Sequence, residues 1–116
     1  DLTWIGRFTG TPHGVAAYGA YVHDDFTALA RAREDADRDI LGWAGALSDA
    51  WLASTLEYRA ASDGKLRRLP AWIAATHLFA HATHHRGQVT TLMKQAGVDP
   101  GVTDLPFLPG VVRVLD

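Results

Sequence analysis

The chain has 116 residues, a formal net charge of −2 and 47% hydrophobic residues, enough for one domain, residues 1–116, with a hydrophobic core. Its charges are mixed, with neither a long basic patch nor an acidic tail, which argues against a nucleic-acid partner. No apolar run approaches the length of a membrane span, and no signal peptide is visible. The absence of cysteine excludes disulfides, a cysteine nucleophile and thiolate zinc ligands, and it fits a cytoplasmic setting.

Asp1 stands where Met would open a chain, which predicts a processed, truncated or partial sequence. Residues 1–9 read as the last turns of a helix stopped by Gly10, with Leu2, Ile5 and Phe8 on one apolar stripe that Trp4 widens. Residues 11–22 contain Pro12, Gly14 and Gly19 and read as a connection; His13 is an ordinary loop residue there. Residues 24–47 form the clearest amphipathic helix, entered at His23 and capped by Asp24 or Asp25. Phe26, Leu29, Ala36, Ile40, Trp43 and Leu47 recur at helical spacing, and Arg31–Asp35 and Glu34–Arg38 are expected as ion pairs one turn apart. The acidic run Glu34, Asp35, Asp37 and Asp39, interleaved with arginines, reads as a solvated face and not as a metal cluster.

Ser48 and Asp49 mark a turn. Residues 55–59 alternate apolar and polar as a strand does, Ser62-Asp63-Gly64 signals a turn, and residues 65–69 return as a second strand. Lys65, Arg67 and Arg68 are the one local basic cluster, read as a solvated loop. Pro70 suits the first turn of a helix that runs to about Ala96 and stops at Gly97. Gly87 in its middle costs about 1 kcal/mol relative to alanine, which predicts a closely packed neighbour. The tail beyond Val98 is punctuated by Pro and Gly, and its Leu105, Phe107 and Leu108 are expected to pack onto the helices. The pattern as a whole is all-α, a helical bundle with a short β-hairpin between its last two helices.

Four of the six histidines lie between His77 and His85. His77, His81 and His85 are each four apart, so on a helix they share one face with Ile73, Ala80, Gln88 and Leu92. Two imidazoles so placed can converge on one metal ion, the logic of the helical zinc-protease motif without its Glu. The segment therefore supplies at least half of a metal site. His84 lies off the stripe. Arg86 either pairs with a carboxylate or faces substrate; Gln88 hydrogen-bonds either a ligand or a neighbouring helix. No Asp or Glu stands at a spacing that would orient the histidines, unless the tail brings Asp104 close.

The segment His-Ala-Thr-His-His-Arg-Gly-Gln at 81–88, preceded by His77-Leu78-Phe79, resembles the signature of the DinB/YfiT-like proteins. Residues 4–10, Trp-Ile-Gly-Arg-Phe-Thr-Gly, resemble the close of that family's second helix, and His23-Asp24-Asp25-Phe26 the start of its third. Gln95-Ala96-Gly97-Val98 and Asp104-Leu105 resemble the end of its fourth helix and the following tail. The resemblance implies a four-helix bundle, here lacking its first helix and the start of its second. It also implies a divalent metal, usually zinc or nickel, held by three histidines. Two of these match His81 and His85; the third is expected upstream of Asp1. His77, Arg86 and Gln88 are then candidates to support the ligands or face the substrate.

An open position on such a metal suits water or a substrate. The resemblance implies enzymes that use a low-molecular-weight thiol on a small-molecule substrate, for transfer or isomerisation, and hydrolysis is a further expectation. The alternative is a non-catalytic stress-response bundle whose histidines are vestigial or hold a structural metal. An apolar face left uncovered by a missing helix predicts a homodimer.

Overall fold

In the computed structural model, which describes residues 1–11, 21–108, 110 and 113, the chain is mostly helical with one small antiparallel sheet. Helix α1 spans Leu2–Thr9, α2 Phe26–Gly45, α3 Asp49–Leu52 and α4 Ala71–Gln95; strands β1 (Thr55–Arg59) and β2 (Leu66–Pro70) lie between α3 and α4. A 3-10 turn, Leu105–Phe107, follows α4. The chain falls into two compact units, residues 1–82 and 83–116, and α4 contributes to both. His13 and most of the expected 11–22 connection lie outside the described residues, as does part of the tail beyond Leu108.

In the first unit the helix ends follow the capping chemistry of the sequence. Gly10 closes α1 in the left-handed conformation, φ 71°, which only glycine adopts without cost. Asp25 caps α2, its Oδ2 accepting from the Ala28 N–H at 2.7 Å. The expected turn at Ser48 and Asp49 is instead the start of α3, because the Ser48 hydroxyl accepts from the Trp51 N–H at 3.1 Å and so satisfies an otherwise orphaned helix donor. On α2 the ion pairs are not those expected. Arg33 reaches Asp37 and also Asp1, and Arg38 pairs with Asp35. All are exposed, so the acidic run is a solvated face.

The core of this unit is built mainly from small side chains: Ile5, Ala36, Ala60, Ala71, Ala74, Ala75 and Leu78 are buried. Around it stand larger rings in mutual contact. Trp4 meets Phe8 at 5.8 Å and Tyr58 at 5.2 Å, while Phe8 stacks on Trp43 at 4.7 Å and meets Trp51 edge-on at 5.4 Å. These rings come from α1, α2, α3 and β1. Of the expected α2 stripe, Phe26 and Leu29 are exposed.

The hairpin pairs Thr55 with Pro70 and Arg59 with Leu66. Pro70 therefore ends β2 and does not sit in the helix. At the end of an outer strand its missing N–H breaks no ladder bond, and the next residue, Ala71, donates to the Ser54 carbonyl at 2.9 Å. Lys65, Arg67 and Arg68 are correspondingly not all in a loop, since the two arginines lie on β2. Arg68 bonds Glu57, its cross-strand partner, at 2.8 Å. Arg67 grips both oxygens of Asp63 at 3.0 and 2.9 Å.

In the second unit α4 ends in a Schellman motif. The Gly97 N–H donates to the Lys94 carbonyl at 3.0 Å and the Val98 N–H to the Met93 carbonyl at 2.9 Å, with Gly97 at φ 76°. The tail residues Leu105 and Phe107 are 76% and 69% exposed and Leu108 is also exposed, so the expected packing of this segment is not found.

The hairpin turn carries a pH signature. Arg67, and after it the Lys65 N–H, hold the Asp63 carboxyl below the usual carboxylate range. Because the folded state lowers this pKa, its contribution is full above the ordinary carboxylate pKa and is lost as pH falls through the lowered one. We expect the acid limb of a thermal-stability profile to flatten in Asp63→Asn; an unchanged limb would show that this pair contributes nothing.

Candidate metal centre

Helix α4 buries Ala71, Ala74, Ala75 and Leu78, a spacing of three and four that turns one side toward the core of the first unit. His77, His81, His84 and His85 are all exposed, and so are Ile73, Ala80, Gln88 and Leu92, the residues that share the histidine side. The histidine side is thus the wet side of the helix.

Within the first unit, His77 packs edge-on against Trp4 at 5.0 Å and tilts over His81 at 5.1 Å. The contact with Trp4 was not legible in the sequence, where Trp4 only widened a stripe 73 positions away from His77. An imidazole wedged against an indole is fixed in direction by packing, a role distinct from supplying a lone pair.

Within the second unit, His84 and His85 meet edge-on at 5.2 Å. Nδ1 of His85 lies 2.8 Å from Gln88 Oε1. A carboxamide oxygen only accepts, so this contact is a hydrogen bond in the tautomer that carries its proton on Nδ1. Donation of the far N–H to a neighbour is how metal-binding histidines are oriented. Gln88 also borders an open groove of about 630 Å³ with His84, Gly87, Thr91, Leu92 and Gln95. Arg86 turns to Thr83, its Nη2 donating to the hydroxyl at 3.0 Å, and makes no ion pair with a described carboxylate. Asp104 leads the 3-10 turn without a side-chain cap bond.

Among the described residues no group of three or more His, Cys, Asp or Glu side chains comes together to hold a metal ion. A catalytic zinc site takes three protein ligands. The described residues therefore do not by themselves fit the three-histidine centre that the sequence resemblance implies.

Comparison with known proteins assigns the fold. The model of the DinB family matches residues 1–111, nearly the whole chain, and the chain belongs to the DinB family. No curated protein and no solved structure matches it. Family membership agrees with the helical fold; it does not specify a reaction.

Gly87 departs from expectation. A Cβ added there would meet nothing within 4 Å among the described residues, so no packed neighbour explains it. Its carbonyl instead accepts from the Thr90 and Thr91 hydroxyls at 3.0 and 2.8 Å, bonds an alanine would keep. Gly87→Ala is expected to stabilise the protein by about 0.5–1 kcal/mol in urea unfolding. Destabilisation would instead reveal a neighbour outside the described residues packed against the groove.

Proposed function

We propose that this member of the DinB family is a divalent-metal-dependent enzyme, with His81 and His85 as two of the ligands to zinc or nickel. Its reaction is transfer involving a low-molecular-weight thiol, or hydrolysis, on a small-molecule substrate. The bond from His85 Nδ1 to Gln88 Oε1 is the observation that carries this reading. A side-chain acceptor beside Nδ1 is the kind of partner that orients a ligating imidazole, and this one borders a groove large enough for a small molecule. The four-residue spacing of His81 and His85 on α4 supports the pairing. A catalytic centre would need a third ligand, and among the described residues no third side chain joins them. His77 holds its place against Trp4 as a positioning residue, and Gln88 positions His85. Among the described residues no helix is long and apolar enough to cross a membrane, and a cytoplasmic setting belongs to the same proposal.

A second reading has its own observation. Phe26 and Leu41 on α2, and Val89 and Leu92 on α4, are large, apolar and exposed. Such surface fits a non-catalytic bundle that acts as a homodimer.

Elemental analysis of the purified protein and of a His81→Ala/His85→Ala variant separates the two. Near-stoichiometric zinc or nickel, lost in the double variant, is the expected result. Gln88→Ala should then keep the site but weaken metal affinity about 10- to 100-fold. An absence of metal after incubation with both ions would overturn the first reading, and light scattering on the same sample would test the dimer.

A further inference from the structure

A second recess, of about 390 Å³, lies in the first unit between α1 and the hairpin, and its lining is rich in cations. Arg7 and Arg59 both border it, together with Glu57, Tyr58 and Thr3. Glu57 is already held by Arg68 at 2.8 Å, and among the described residues neither Arg7 nor Arg59 forms an ion pair with it. Arg7 has no carboxylate partner among the described residues. One of its five N–H donors is committed, Nη2 to the Arg59 carbonyl at 3.3 Å. The Arg59 Nη1 donates to the Gly64 carbonyl at 3.1 Å, again to a neutral group.

The placement of Arg7 is built and not incidental. Its guanidinium carbon lies 4.5 Å from the Trp4 ring and 4.3 Å from the Tyr58 ring, over the corner where those two rings meet edge to face. Cation–π contact on two sides fixes the plane of the group, and a fixed planar fork is what two oxygens of one anion bond best. Burial lowers the Arg7 pKa; the Tyr58 side chain opposes this and the positive charge of Arg67 adds to it. Desolvation of the cation is thus offset in part by the two rings, and a bound anion would offset it further.

We propose that the Arg7–Arg59 recess is a binding site for a small oxyanion, a carboxylate or a phosphate, distinct from the histidine segment. The Arg7 fork grips two of its oxygens, Arg59 adds the second charge, and the ring of Tyr58 lines the wall against any apolar body the ligand carries. A simple halide lacks the paired oxygens and gains only the charge.

Titration of the protein with benzoate, inorganic phosphate and chloride at constant ionic strength tests this, followed by two-dimensional NMR of the arginine Nε–Hε and backbone amide signals. Saturable shifts at Arg7, Tyr58 and Arg59 with benzoate or phosphate, and none with chloride, are expected. Which oxyanion saturates at the lower concentration identifies the source of the ligand. Arg7→Gln should weaken binding about tenfold or more, whereas Arg38→Gln, on the exposed face of α2, should leave it within about twofold. Arg59→Gln gives the same readout if Arg7→Gln does not fold, since its side chain bonds only one turn carbonyl. Chloride acting as strongly as the oxyanions, equal losses from Arg7→Gln and Arg38→Gln, or no saturable shift with either oxyanion would overturn the proposal.

Discussion

The fold depends on a chain of aromatic contacts that begins at Trp4. This one side chain touches Phe8, Tyr58 and His77, and Phe8 passes the contact on to Trp43 and Trp51, which also meet each other at 5.6 Å. Helices α1 to α4 and strand β1 all contribute a ring. Each such pair adds about 0.5–1.5 kcal/mol beyond the area it buries, whereas the exposed ion pairs on α2 contribute about 0–1 kcal/mol each. A core of alanines buries little area per residue, so the surrounding rings supply much of the cohesion that a leucine-rich core would have provided internally.

The same contacts position the chemistry. Trp4 sets the direction of His77 on one side and supplies half of the aromatic corner under Arg7 on the other. The histidine segment is thereby anchored at its first imidazole by packing, and His85 is oriented by a hydrogen bond from its own helix, three residues on. These are two different means of fixing an imidazole. Packing constrains the ring without favouring a tautomer, while an acceptor beside Nδ1 favours the tautomer protonated there.

What was legible in the sequence was local. Gly10 and Gly97 as helix stops, Asp25 as a cap, the strand alternation at residues 55–59 and the α4 histidine spacing all follow from rules that act over one or two turns. The misreadings also have local causes. Ser48 both starts turns and caps helices, and only the following Trp51 N–H decided between them. Pro70 is as well suited to a strand end as to a first helical turn. On α2, Arg38 takes Asp35, the partner expected for Arg31, because residues three apart are as close on a helix as residues four apart. The candidate ligands His81 and His85 were legible as a spacing; Gln88 was expected to bond a ligand or a neighbouring helix and instead meets His85 on its own helix. Trp4 against His77 and Arg7 over Tyr58 were not, because nothing in a linear pattern encodes which face of a short helix meets a hairpin fifty residues later.

The alanine core has a consequence for how this chain can change over evolutionary time. Ala74 is 0% exposed and Ala71 1%. At such positions every larger residue must push apart elements already in contact, and the one smaller residue, glycine, weakens the helix itself by about 1 kcal/mol. Drift is therefore closed in both directions on the buried side of α4. On its wet side, apart from His77 against Trp4, the side chains are exposed and a change of size costs less. The helix is thus free to vary its chemistry while its packing is held almost fixed, which lets one scaffold be retained as its site diverges.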